Sequence, residues 1–398
     1  MRSHSILSSF GILAAFAATA NAVVPLYDRC GGEGWTGETE CPEGAYCMVL
    51  NQWWSSCQPA PVVPCTTFGP YINPNSKTDG LNSFAVRRGK YFGTAGDWVY
   101  EDVMNCSWAR IATDPSEFGV LTPGNSQKWD STEATQGVFN FETADNITNW
   151  GLKYGKKIRG HTLVWHQQLP DWVTGGTWNA TTLKAVLKNH VTTVATHFKG
   201  KIFHWDVVNE PFNDDGTFRN SIFYQILGES YIEIALRAAA AADPAAKLYI
   251  NDYNVEGVNA KSTALLNLFK KLKACGVPVH GIGVQGHLIS GQIPGDIEVN
   301  FNRIVAAGAE IYITELDIRM VVPPANQTAA YEQQAAEYAI VTKACKVTGR
   351  CIGITVWNFT DKNSWIPSVF AGQGDALPWD KNFQKKPAYY GIAKTLKP

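Results

Sequence analysis

From residue 81 onward, short apolar runs rich in β-branched and aromatic side chains alternate with longer stretches of helical pattern. The runs fall near 91–95, 119–122, 157–164, 204–209, 247–252, 281–286, 310–316 and 353–359. Helical stretches lie between them, at 145–154, 183–198, 222–242, 261–274, 297–307 and 331–346. Eight strands, each followed by a helix, predict an α/β fold closed into a (β/α)8 TIM barrel over 81–398. In such a barrel the chemistry sits at the C-terminal ends of the strands. Polar residues at the ends of these runs are therefore the candidates for function.

Two glutamates stand out by that criterion. The fourth run reads Trp205-Asp206-Val207-Val208-Asn209-Glu210 and ends on Glu210; the seventh delivers Glu315 near its end. Cleavage of a glycosidic bond needs two such carboxylates, one to protonate the leaving oxygen and one to attack or stabilise an oxocarbenium-like centre. The tripeptide Asn209-Glu210-Pro211 alone reads more readily as a strand capped in water, and only its surroundings reverse that. More polar residues collect at the same predicted rim: Asn125 and Lys128 after the second run, His161, Trp165, His166 and Gln168 at the third, Asn251, Asp252 and Tyr253 at the fifth, Gln285 and His287 at the sixth, and Trp357 and Trp365 around the eighth. Each by itself reads as a satisfied core polar or packing residue. Together they describe a cleft.

The formal net charge of -1 offers no basic stripe for nucleic acid and none for an anionic membrane. A neutral partner is expected, and 14 Trp with 15 Tyr suit the apolar face and polar rim of sugars. Histidines 161, 166, 204 and 287 lack metal-ligand spacing, so neither metal nor other cofactor is expected. The N-terminus carries Arg2, an apolar run over 6–18 and Ala20-Asn21-Ala22, the pattern of a secretory signal peptide over 1–22. A secreted, extracellular protein follows, and its nine cysteines then imply disulfides with one thiol left over. Four of them crowd into a short N-terminal segment, 23–57, whose few aliphatic residues could not hold it folded without staples. Residues 58–80 are a short proline-rich spacer and lead-in.

The Cys30-Gly31-Gly32-Glu33-Gly34-Trp35-Thr36-Gly37 run, with Asn51-Gln52-Trp53-Trp54 before Cys57, resembles carbohydrate-binding module family 1, the fungal cellulose-binding knottin. The resemblance implies a small β module with pairings Cys30–Cys47 and Cys41–Cys57. It also implies a flat cellulose-binding face of Tyr27, Trp53 and Trp54 with Asn51 beside them. Arg29 and Ser56 stand where that family has glutamines flanking the face, which bears on affinity more than on target.

The larger segment resembles glycoside hydrolase family 10, the barrel xylanases. The likeness runs through Tyr91-Phe92-Gly93-Thr94-Ala95, Lys128-Trp129-Asp130, Arg159-Gly160-His161-Thr162-Leu163-Val164-Trp165-His166, Asn209-Glu210, Asn251-Asp252-Tyr253-Asn254, Gly283-Val284-Gln285-Gly286-His287, Thr314-Glu315-Leu316-Asp317 and Thr355-Val356-Trp357. It implies an endo-1,4-β-xylanase acting with retention, with Glu210 as general acid/base, protonated before attack, and Glu315 as the ionised nucleophile. Asn209 would hold the 2-hydroxyl of the sugar being cleaved, and His287, linked to Asp317, would orient Glu315. Asn125, Lys128, His161, Trp165, Gln168, Trp357 and Trp365 would line the glycone side, with Tyr253 and Gln285 near the scissile bond. A disulfide Cys345–Cys351 is implied by the same likeness; Cys65–Cys106 is then paired by elimination, leaving Cys275 free.

Two positions depart from that family. Gly124 replaces a glutamate that binds the second glycone sugar, which should weaken that subsite. Asn358 replaces a glycine and heads a sequon beside the expected cleft, whereas Asn105, Asn146, Asn179 and Asn326 head sequons better placed for glycans. The expectation is a monomer that hydrolyses xylan and binds cellulose. A barrel cellulase is the alternative enzyme, separable by rates on xylan and carboxymethylcellulose. A binding-only barrel is the alternative of another class, excluded by any reducing-sugar release.

Overall fold

The computed structural model describes residues 23–25, 28–41, 45–51, 53–59, 79–97 and 105–397. Expectations for 1–22, for Tyr27, for most of the spacer and for the Cys65–Cys106 pair lie outside the described residues, as do the side chains of Asn51, Trp54 and Cys106. The chain divides into two compact units, Met1–Pro64 and Cys65–Pro398.

The first unit is a three-stranded antiparallel sheet. Strand β1 (Arg29–Gly31) and β2 (Ala45–Asn51) flank β3 (Trp54–Pro59). Its core is Val24, Cys30 and Cys57, with Cys41 and Cys47 packed against them. The disulfides are Cys30–Cys47 and Cys41–Cys57, as the resemblance implied. With so little apolar side chain to bury, the loops these bonds close supply stability that packing cannot. Trp53 is 59% exposed, and the Arg29 guanidinium donates to its carbonyl oxygen at 2.6 Å.

The second unit contains the barrel. Its strands are β4 (Tyr91–Ala95), β5 (Val120–Thr122), β6 (Lys157–Val164), β7 (Ile202–Asn209), β8 (Lys247–Asp252), β9 (Gly281–Val284), β11 (Glu310–Val321) and β12 (Cys351–Val356). All neighbours are parallel, and the ring closes where β9 pairs with β11 and β12 with β4. Strands buried on both faces read as nearly continuous apolar runs, which is why they were visible in the sequence. Side chains fill the interior. Gly160 on β6 makes room for Trp205 on β7, since a Cβ there would lie 2.2 Å from the indole. Cys345–Cys351 joins the last long helix, Gln327–Val347, to the start of β12, and Cys275 is free and exposed.

The structure corrects several boundaries. The predicted helix over 222–242 is two helices, Ile222–Leu227 and Ser230–Ala242, broken at Gly228, whose φ of 57° is left-handed backbone that a continuing helix cannot contain. The seventh strand does not stop at Leu316. It runs to Val321 because a separate strand, β10 (His287–Ile289), and a short β13 (Gln373–Gly374) pair with its extension. The sixth barrel strand ends at Val284, so Gln285 lies in a link and His287 opens β10. The eighth ends at Val356, one residue before Trp357. Helices Cys106–Thr113 and Pro387–Leu396 follow the first and last barrel strands, where no periodic run was assigned.

Candidate active site

The barrel floor beneath the site is charged. Arg159 is fully buried, forks onto both oxygens of Asp206, and lies between the rings of Tyr249 and Tyr312 at 4.7 and 4.9 Å. Burial alone would raise the Asp206 carboxyl, but the Arg159 charge and the bond from His161 outweigh it and hold it below the ordinary value. The Asp206 carboxylate also meets His161 Nδ1 at 3.1 Å, which orients that ring toward the rim. His161 packs edge-on to Trp357 with ring centroids 5.3 Å apart.

Above this floor the strand ends open into a cleft of about 1160 Å3. The site residues expected in the barrel line it, except Asn251, Asp252 and Asp317, which are wholly buried behind the wall. Four of the non-glycine residues with positive φ among the described residues also line it: Gln168, Glu210, Asn254 and Asn358. Such backbone is costly and collects where a side chain must be aimed.

Glu315 is almost entirely enclosed. Its Oε1 accepts from Asn251 Nδ2 at 2.8 Å, and its Oε2 lies 3.3 Å from His287 Nε2. His287 in turn meets Asp317 through Nδ1 at 2.9 Å, and Trp365 Nε1 donates to the same Asp317 oxygen at 2.8 Å. Burial opposes a charge on His287, yet the Asp317 and Glu315 carboxylates on either side push its pKa up to about 10. Burial would likewise raise Glu315, but the imidazoles of His161 and His287 hold it below the usual carboxylate value. The carboxylate is therefore kept ionised although it is out of water.

Glu210 is held from its backbone. It is the first residue past β7, with φ 55°, and Arg219 donates to the Glu210 carbonyl at 3.0 Å, to the Phe212 carbonyl at 3.0 Å and to Tyr253 Oη at 2.9 Å. Its Oε1 accepts from Gln285 Nε2 at 3.1 Å. Asn209 Oδ1 accepts from both Asn251 and Gln285, so these two amides tie the carboxylates into one network. Gly283 protects that network, since a Cβ there would come 2.2 Å from Asn251 Oδ1. His166 Nδ1 is 3.8 Å from Glu210, but burial and the charges of Arg219 and Lys261 bring its pKa down to about 4, so the ring is neutral and forms no ion pair.

To one side, Lys128 Nζ donates to Asn125 Oδ1 at 2.9 Å and to Gln168 Oε1 at 2.6 Å, and sits 4.8 Å from the centre of the Trp165 ring. The Asp97 carboxylate accepts from the backbone of Asn125 and Ser126 and would be 3.4 Å from a Cβ on Gly124. To the other side, Tyr253 stands on Lys261, whose Nζ is 3.3 Å from the ring centre and 2.9 Å from Asp252.

Arg219 was not singled out from the sequence. The signal available was a turn, Asp214-Asp215-Gly216, between Phe212 and Phe218, which bridge each other and place Arg219 directly under Glu210. Asn251 was noted at the rim but without its role as the amide shared by Asn209 and Glu315.

Residues 80–395 match glycosyl hydrolase family 10, and residues 26–54 match the fungal cellulose binding domain. Endo-1,4-beta-xylanase A of Phanerodontia chrysosporium is 46% identical over 403 residues, covering 97% of this chain and 98% of that protein. An endo-1,4-beta-xylanase of Agaricus bisporus is 50% identical over 78% of this chain and 93% of its own. Among solved structures, xylanase 10B of Thermotoga petrophila in complex with xylobiose superposes with a TM-score of 0.77 at 39% identity, covering 80% of this chain and 97% of that one. A glycosylated endo-beta-1,4-xylanase of Gloeophyllum trabeum superposes at 0.75 and 42% identity, over 80% and 99%.

Proposed function

The chain belongs to glycosyl hydrolase family 10, as an endo-1,4-β-xylanase with a fungal cellulose binding domain, and we propose that it cleaves xylan by double displacement with retention of anomeric configuration. The observation that carries this reading is the contrast in surroundings between the two carboxylates. Glu315, ionised and gripped by Asn251 and His287, is the nucleophile. Glu210, reached by Gln285 and open to the cleft, protonates the leaving oxygen as Glu315 forms the glycosyl-enzyme bond. Once that ester exists, the negative charge opposite Glu210 is gone, and Glu210 as carboxylate takes a proton from the water that releases the sugar.

Asn209 sits between the carboxylates and offers its amide to the 2-hydroxyl, a contact that strengthens in the transition state. The Lys128, Asn125 and Gln168 cluster with Trp165 and Trp357 receives the glycone. Tyr253, clamped by Arg219 and Lys261, gives the leaving sugar a rigid platform. Secretion through removal of 1–22, and glycans on Asn146, Asn179 and Asn326, belong to the same reading; these three asparagines are exposed. No helix among the described residues is long and apolar enough to cross a membrane.

The test is the configuration of the first product from a xylo-oligosaccharide, followed by proton NMR before mutarotation. A β-anomer is expected, from two carboxyl groups roughly 5–5.5 Å apart. An α-anomer would replace double displacement by single inversion.

A further inference from the structure

Four cationic side chains besides His161 and His166 bear on the cleft wall, and three of them are spent on the protein. Lys128 is held by two amides, Arg219 by two carbonyls and a phenol, and His287 lies between two carboxylates. Arg319 differs. It lies on β11, beyond Glu315, in register with Ile289 of β10. Its Nε donates to Gln373 Oε1 at 2.9 Å, and its guanidinium carbon lies 4.1 Å from the centre of the Phe370 ring. Among the described residues, neither terminal nitrogen has a protein acceptor and no carboxylate lies within the 4.0 Å of an ion pair.

Stacking on Phe370 and the bond to Gln373 fix the plane of the fork, leaving its outer edge toward the cleft that Arg319 lines. Beside it on the same wall are Gln292, exposed, and Val369, 59% exposed. A planar fork with two free donors matches a carboxylate bidentately. An amide beside it suits hydroxyls, and an apolar side chain suits the C–H face of a sugar ring. We propose that Arg319, Gln292, Val369 and Phe370 form a side pocket of the cleft for an acidic branch of the xylan chain, a uronic acid whose carboxylate is taken by the Arg319 guanidinium. Burial lowers the pKa of this arginine, with Asp317 the opposing influence, so an anion arriving there meets a cation short of counter-charge.

The proposal rests on the xylanase reading, and the experiment separates the two. Wild type, Arg319→Leu and Arg319→Lys are assayed on two matched xylo-oligosaccharides, one linear and one bearing a single glucuronosyl branch. Cleavage of the linear substrate by wild type tests the xylanase reading alone. The leucine variant should keep kcat/KM on the linear substrate within about twofold and lose about tenfold on the branched one, the scale of one charge-assisted pair. The lysine variant should fall between. Raising salt should erode the wild-type advantage on the branched substrate and leave the leucine variant unchanged. Equal loss on both substrates would make Arg319 only a prop for the Phe370 segment and overturn the proposal, as would an unchanged ratio. Free sodium glucuronate and sodium acetate are added as competitors in a third arm; equal competition by both would reduce the pocket to a general anion site and overturn the branch assignment.

Discussion

At the end of β7, Glu210 stands on left-handed backbone with its side chain 12% exposed, reached by one firm amide bond and braced through its carbonyl by Arg219. Within β11, Glu315 has its side chain 6% exposed, both oxygens engaged, and a charged relay of His287 and Asp317 behind it. The same residue type thus meets two surroundings: the imidazoles of His161 and His287 keep Glu315 ionised, whereas Glu210 faces the cleft with one firm side-chain bond. In the proposed mechanism it is this difference in surroundings, not residue identity, that separates nucleophile from acid/base.

Removing each carboxylate breaks the comparison most directly. Glu315→Ala should lower kcat on every substrate by about a millionfold, the scale on which loss of a covalent nucleophile acts. Glu210→Ala should fail on xylan yet still release an activated aryl leaving group in a burst, then stall until azide attacks the glycosyl-enzyme. Azide rescue of the Glu315 variant with a retained product would interchange the roles.

The relay behind Glu315 is probed by pH. His287 is raised from its ordinary 6.5 to about 10, so the stability it contributes is complete below about pH 6.5 and is lost as pH climbs through about 10. Thermal midpoints of wild type should fall over that window by several degrees, and His287→Asn, less stable at pH 6, should show a flatter profile. Parallel profiles would place the titrating group elsewhere.

The smallest effect on turnover is expected from the other unit. Trp53→Ala should reduce adsorption to crystalline cellulose by about tenfold, from the loss of one stacked ring, while kcat/KM on soluble xylan stays within about 20%, an estimate that treats the two units as independent. Equal loss of both would contradict the division of labour between the units.

Much of this was legible along the chain. Strands buried on both faces announce themselves as apolar runs, so β4, β6 and β8 were located to the residue, and the carboxylates, amides and rings at their ends could be collected into a cleft. Ends set by long-range pairing were not legible. Nothing local in 310–321 says where the strand stops, because its extension is held by β10 and β13, more than twenty and fifty residues away in sequence. Arg219 was missed because only the folded turn brings its guanidinium back onto the carbonyls of Glu210 and Phe212 and across to the Tyr253 phenol on another segment.

By itself the sequence determined the alternation of strand and helix, the stapled N-terminal unit and the identities of the groups capable of acid/base chemistry, because periodicity, cysteine spacing and side-chain chemistry are local properties. Only the tertiary structure decided the charge that Glu315 and His287 hold. The charge on Glu315 depends on His161 from β6 and on His287 at the start of β10, itself held by Asp317 two residues along the Glu315 strand, and those distances exist only once the barrel has closed. Coulomb energies and desolvation are functions of separation in space and of exclusion of water, neither of which is written in residue order.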